Sequence, residues 1–210
     1  MLAVFVDFDG TITDVDTFDA LVRAVAGDDA WNAIDRPLIA GEITLREALT
    51  RQAALVRLTR AETLAFMEAH SHVDPSFGAF VAAVRAHGGM IRVVSSGIAT
   101  VIHDALARAG VEVDVLANEV DFAPDGWTMT FVDGSGNGHD KASHVRAARE
   151  RGDRTVYIGD GISDFAGALE ADERFAKKGR ALEAYCRARG VACVSFESFR
   201  EIEERLFPEG

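Results

Sequence analysis

The chain has 210 residues, 48% of them hydrophobic, which suits one globular domain or a core domain with a modest insertion. Asp and Glu number 34 against 22 Lys and Arg, a net charge of -12 that repels phosphate backbones and anionic lipids, so nucleic acid and membrane surfaces are not expected partners. No segment approaches the length of a membrane span, the first apolar run is too short for a signal peptide, and Cys186 and Cys193 form no CxxC pair, so the expected setting is the cytoplasm.

The first run, LAVFV, reads as a buried strand because it is short, β-branched and aromatic without alternation. Phe18, Leu21, Val22 and Val25 then fall at helical spacing, and a second helix is expected over Ala30 to Ile39, ended by Gly41. Thr44 with Glu47 and Thr59 with Glu62 are capping boxes that open two more helices. Leu45, Ala48, Leu49, Gln52 and Val56 share one face between them. Asp74 is the expected N-cap of the next helix, with Pro75 at its first position and a stripe of Phe77, Phe80, Val81 and Val84. MIRVVSS reads as a strand, Ile98 to Ala109 as a helix, VDVLANEV as a strand, and the stretch around Pro124-Asp125-Gly126 as a hairpin. A helix (KASHVRAARERG), a strand (RTVYIGD), another helix, a short apolar stretch at Phe175–Ala176, a helix (GRALEAYCRARG) and a strand (VACVSF) complete the pattern, with Ser198 and Glu201 capping the last helix.

From residue 75 onward strand and helix alternate, which argues an α/β fold: a parallel sheet with helices on both faces. Residues 14–74 are almost entirely helical and look like an insertion after the first strand. Ligands of an open parallel sheet bind beyond the carboxyl ends of its strands. Three strands here end in polar groups: Asp7 and Asp9; Ser95 and Ser96; and Asp160, with Asp164 four residues on. Three carboxylates at one spot stay ionised together only with a cation, and an all-oxygen ligand set favours Mg²⁺ over zinc. Lys141, which opens a helix after GSGNGHD, is the candidate partner for the excess negative charge.

Other motifs carry less. DFDGTITDVD misses the calcium-loop spacing, no Walker A motif is present, and GSGNG alone is a flexible turn. His139 and His144 do not have the spacing of a zinc helix motif and are expected on the surface.

Taken in order, DFDGT, IRVVSSG, Lys141 and GDGISD resemble the four motifs of the haloacid-dehalogenase-like (HAD) superfamily of phosphotransferases, over nearly the whole chain. The helical stretch resembles the cap of its phosphoserine-phosphatase-like branch. Within that branch DFDGTITDVD, AGEITLREAL and YIGDGISD are most similar to phosphatases of the methionine-salvage type. The resemblance implies a Rossmann-like core over 1–13 and 75–210, a small helical cap over 14–74, and a Mg²⁺-dependent two-step transfer through an aspartyl-phosphate. It departs from true phosphoserine phosphatases at Asp16, where those carry Glu, and at Thr50, where they carry the Arg that holds the substrate carboxylate.

Asp7 is then the expected nucleophile and Asp9 the general acid and base. Mg²⁺ falls to Asp7, the Asp9 carbonyl and Asp160, with Asp164 behind them. Lys141, Ser95, Ser96, Phe8, Gly10 and Gly97 are expected around the phosphate, and Asp16, Thr17, Phe18, Arg46 and Thr50 near the leaving group. The expected partner is a small phosphorylated metabolite. Phosphoserine hydrolysis and a phosphotransferase or mutase using the same aspartyl-phosphate are the alternatives. A binding protein that keeps the fold without turnover is a third, separated by a Mg²⁺-dependent chromogenic ester assay.

Overall fold

The computed structural model describes residues 1–208. Its centre is β1 (Leu2–Val6), in which Ala3, Val4, Phe5 and Val6 are all buried. A strand apolar on both faces needs cover on both faces, and it needs partners on both edges. It pairs in parallel with β2 (Met90–Ile98) on one side and β5 (Arg154–Gly159) on the other. With β3 (Asp114–Asp121), β4 (Thr128–Thr130), β6 (Glu173–Lys177) and β7 (Val194–Phe196) the order is β4-β3-β2-β1-β5-β6-β7. Every pairing is parallel except β4 with β3, the two arms of the expected hairpin. The apolar stretch at Phe175–Ala176 is a strand, β6, held between β5 and β7.

One face of β1 packs Val4 and Val6 against α5 (Phe77–Ala86), α6 (Ala99–Arg108) and α10 (Phe199–Leu206). The other packs Ala3 and Phe5 against α7 (Lys141–Glu150), α8 (Phe165–Glu170) and α9 (Ala181–Arg189). From β1 the chain winds outward to β2 and β3, and from β5 outward to β6 and β7. The order therefore reverses between β1 and β5, and a crevice opens at their carboxyl ends.

Between β1 and α5 lie α1 (Thr17–Ala26), α2 (Asp28–Ile39), α3 (Leu45–Ala53) and α4 (Arg60–His70). Both expected capping boxes form: Thr44 and Thr59 each accept from the N–H three residues on, and Glu47 and Glu62 accept from theirs in return. The apolar faces of these helices join Ile98, Val101, Val120, Trp127 and Met129 in a shared cluster, so the segment is seated on α6 and the hairpin. Its entry and exit touch: Thr13 bridges Val73, and the Asp14 and Asp74 N–H groups donate to His72 and Ile12 carbonyls.

Helix α5 begins at Phe77 rather than Pro75. The Asp74 carboxylate is spent on Ser76 and on the Phe199 N–H of α10, and the Phe77 N–H closes a tight turn back to the Asp74 carbonyl. Among the described residues no helix is long and apolar enough to cross a membrane.

Phe199 is fully buried, with its ring centroid 4.8 Å from Phe77, 5.4 Å from Phe80 and 5.7 Å from Phe196. Phe199→Ala is expected to cost about 3–5 kcal/mol in urea unfolding, because it empties the junction of β7, α5 and α10. A loss under about 1 kcal/mol would mean that these elements do not share one core.

Candidate active site

Asp7 follows the last residue of β1 and is still held as sheet, its N–H donating to the Ile158 carbonyl at 2.9 Å. The chain then folds back on itself: the N–H groups of Thr11, Ile12 and Thr13 all turn toward the Phe8 carbonyl. Gly10 makes this turn at φ +70°, and a Cβ there would lie 2.4 Å from Asp160 Oδ2. Only glycine satisfies both demands.

Lys141 enters from the first turn of α7 and is 2% exposed. Its Nζ donates to Asp7 Oδ1 at 2.7 Å, Asp164 Oδ1 at 2.7 Å and Ser163 Oγ at 2.9 Å, which uses all three protons. Burial opposes the ammonium, but the carboxylates of Asp164 and Asp7 more than reverse this and hold its pKa above the ordinary lysine value. Asp164 is equally committed. Its Oδ1 also accepts from the Tyr157 hydroxyl at 2.7 Å, and its Oδ2 accepts the N–H groups of Asp160 and Gly161 at 2.9 Å each. Four donors fill its two oxygens, so Asp164 braces Lys141 and the backbone of Asp160.

Asp7, Asp160 and Asp164 each bring one carboxylate oxygen within 4.8 Å of the others. Burial, together with the neighbouring carboxylates, raises Asp7 well above its ordinary pKa; burial and Asp164 push Asp160 up to about 7. One lysine does not balance Asp7, Asp9, Asp160 and Asp164. The imbalance and the hard oxygen donors fit a divalent cation held by Asp7 and Asp160.

Across the crevice, Asp9 Oδ1 accepts both the N–H and the hydroxyl of Thr17, while Oδ2 faces the Ser95 hydroxyl at 3.5 Å. Burial raises the Asp9 pKa and the Thr17 bonds oppose it, so a proton on this group belongs on Oδ2. Gly97 makes the space for that oxygen: a Cβ there would lie 2.2 Å from it. Ser95 Oγ accepts the Gly97 N–H at 2.9 Å, whereas the Ser96 hydroxyl turns away to the Asn137 carbonyl.

A cavity of about 250 Å³ opens above these groups. Asp7, Asp9, Ser95, Ser96, Gly97 and Asp160 form its floor, and Asp16 and Phe18 reach it from the α1–α4 side. Thr17 is withdrawn beneath Asp9. Arg46 and Thr50, expected near the leaving group, do not line it. Arg46 stacks over Phe131 and donates to the Asp133 carbonyl at 2.7 Å, and the exposed Thr50 hydroxyl bonds back to the Arg46 carbonyl. The neighbouring face of α3 is the one that looks in, through Leu45, Leu49 and Gln52. Asp19 and Asp35 also line the cavity without having been anticipated. Asp19 Oδ1 accepts from Trp31 Nε1 and Gln52 Nε2, and burial raises its pKa. The one hint in the sequence was Gln52, a polar residue on an otherwise apolar stripe. His139 is not on the surface as expected. It is fully buried behind Ser95, because the glycine-rich loop folds inward against β2.

The family model for haloacid dehalogenase-like hydrolases matches residues 4–169. Pdp3-interacting factor 1 of Schizosaccharomyces pombe is 32% identical, over 98% of this chain and 94% of that protein. Polyol phosphate phosphatase PYP1 of Saccharomyces cerevisiae is 29% identical, over 95% and 90%. A 2-hydroxy-3-keto-5-methylthiopentenyl-1-phosphate phosphatase of Exiguobacterium sibiricum is 26% identical, over 98% and 96%. Among solved structures, a phospho-aspartyl intermediate analogue of phosphoserine phosphatase matches with a TM-score of 0.73 at 19% identity, over 97% of both chains. On the family match and the near-full-length similarity to the fission yeast protein, the chain belongs to the haloacid dehalogenase-like hydrolases, and its enzyme class is that of the phosphatases among them.

Proposed function

We propose that the chain is a Mg²⁺-dependent phosphatase that hydrolyses a small, hydroxyl-rich phosphate monoester through an aspartyl-phosphate at Asp7. The observation that carries this is the buried Lys141 ammonium clamping Asp7 Oδ1, with Asp160 beside it and Asp9 across the crevice. Mg²⁺, held by Asp7, Asp160 and the Asp9 carbonyl, would supply the charge neutralisation that lets an anionic carboxylate meet an anionic ester.

Lys141 fixes one oxygen of Asp7 and leaves Oδ2 to attack phosphorus. As that P–O bond forms, the ester P–O bond breaks, and the departing alkoxide takes the proton of Asp9 Oδ2. Asp9, now ionised, removes a proton from the water that attacks the phosphoryl group, and the Asp7–phosphorus bond breaks to release phosphate. Thr17 keeps Asp9 aimed through both steps. The Ser95 hydroxyl, held by the Gly97 N–H, receives a phosphoryl oxygen. Helices α1–α4 act as the cap that covers the leaving group and excludes water.

The cap side of the cavity presents Asp16, Asp19, Asp35 and Gln52 among Phe18, Leu38, Leu45 and Leu49, and among the described residues no Arg or Lys lines it. Phosphoserine would bring a carboxylate to a wall of carboxylates. An alcohol with several hydroxyls brings donors to acceptors. The likeness to polyol phosphate phosphatase PYP1 supports the same choice.

Three sets of measurements test the reading. Asp7→Asn is expected to abolish phosphate release. Asp9→Asn should cost roughly 100-fold or more on an alkyl phosphate and less on p-nitrophenyl phosphate, whose leaving group departs without a proton. Equal losses on both esters would remove Asp9 from the acid's role.

The second concerns the ion. Burial and the neighbouring Asp164 push the Asp160 carboxyl up to about 7 in the folded chain, against an ordinary 3.8. Without a cation the fold binds a proton that the unfolded chain has released, so stability falls as pH rises across that interval. Mg²⁺ should therefore raise the melting temperature more at about pH 8 than at about pH 5, and Asp160→Asn should stabilise the metal-free protein while erasing the Mg²⁺ response. Unchanged melting on adding Mg²⁺ would count against a metal site.

Third, in a panel of phosphate esters, kcat/KM should be higher for linear polyol phosphates than for phosphoserine. The reverse order would overturn the proposed substrate class.

A further inference from the structure

His139 is 0% exposed and sits two residues before Lys141, in the loop that the mechanism leaves without a task. Its Nδ1 lies 2.9 Å from the Ser95 carbonyl oxygen, and its Nε2 lies 2.8 Å from His144 Nε2. The rings stand nearly perpendicular, with centroids 5.0 Å apart and an interplanar angle of 80°. A carbonyl oxygen only accepts, so His139 Nδ1 carries a proton and donates it. A neutral imidazole then has a lone pair at Nε2, which must accept from a protonated His144 Nε2. Burial lowers the pKa of both rings, in keeping with a neutral pair. The contacts therefore fix both tautomers.

The pair joins two parts of the site. Ser95 is where β2 delivers its hydroxyl to the crevice, and the Lys141 N–H is bonded to the His139 carbonyl at 3.0 Å. The same loop is tied to β2 a second time by Ser96 Oγ and the Asn137 carbonyl, and it is closed on itself by the Asp140 N–H and Asp133 Oδ2. His139 is thus the buried link between the residue that receives the phosphoryl group and the residue that clamps the nucleophile.

We infer that the His139–His144 pair is a positioning device that sets the backbone of Ser95 relative to Lys141. It donates through His139 Nδ1–H and is locked in that tautomer by His144. This rests on the reading of Ser95 and Lys141 as phosphate-site groups. Neither histidine lines the cavity, so both act through their neighbours.

The test joins a spectroscopic readout to a substitution series. Long-range ¹H–¹⁵N NMR of the wild-type protein at neutral pH should show His139 as the Nδ1–H tautomer and His144 as Nε2–H. His139 found as Nε2–H overturns the inference, whatever the activity. His139→Asn keeps a donor near the Nδ1 position and should retain most of kcat/KM for p-nitrophenyl phosphate. His139→Phe lacks it and should lose roughly 10-fold or more. His144→Gln, which keeps a donor near Nε2, should exceed His144→Phe in the same way. Equal activity within each pair of variants would overturn the positioning role. Wild-type protein inactive on every ester would sink the phosphatase reading instead, and the NMR tautomers would still decide the state of the histidine pair.

Discussion

One ammonium group holds the centre of this molecule together. Lys141 Nζ is buried, and its donors end on Asp7, Asp164 and Ser163, which come from opposite sides of the crevice between β1 and β5. A buried charge without partners costs several kcal/mol, and here the partners are negative groups that would repel each other without it. The arrangement explains why Asp164 gives up both oxygens to donors and why Tyr157, from the middle of β5, points its hydroxyl into the same knot. It also explains why the site is left with net negative charge. The lysine neutralises enough to let the fold form, and the remainder is what a divalent ion would complete.

The sheet supplies the precision. Asp7 is the first residue beyond a strand with hydrogen-bonded neighbours on both edges, and its own N–H extends that pairing by one more bond. A group placed there inherits the rigidity of the core. Asp9, two residues later, has left the sheet. Its carboxylate is instead held by Thr17, the first residue of α1. The proposed nucleophile and the proposed acid are thus anchored to different bodies, one to the sheet and one to the helical segment above it.

Much of this was legible in the residues. Each strand-end carboxylate closes an apolar run, and the α/β alternation brings those ends to a common edge, so the placement of Asp7, Asp9, Asp160 and Ser95 around one crevice needed only topology. The cap side was less legible because it depends on which face of a short helix turns inward. Arg46 and Thr50 lie together on α3, one turn apart, and face the hairpin and solvent. Leu45, Leu49 and Gln52 hold the inward face, because the apolar stripe on that helix is the one that must be covered. Asp19 and Asp35 carried no local signal of their own: an acidic residue in the first turn of a helix, as Asp19 is in α1, usually answers the helix dipole, and one in the body of a helix, as Asp35 is in α2, usually faces water. His139 was misplaced for a related reason. A loop rich in glycine reads as exposed, yet this one has β2 to fold against.

The touching linkers of the helical segment bear on how such a molecule can change over evolutionary time. Thr13 and Val73 lie side by side, so some sixty residues leave the sheet and return at nearly the same point. Closing a loop whose ends already meet costs little more as it lengthens, since the entropy grows only with the logarithm of its length. Insertions, deletions or wholesale exchange of the covering helices would therefore fall lightly on the stability of the sheet beneath. On the proposed reading the reacting groups sit at the strand ends and the groups that choose the substrate sit above them, so the second set can change with little effect on the first.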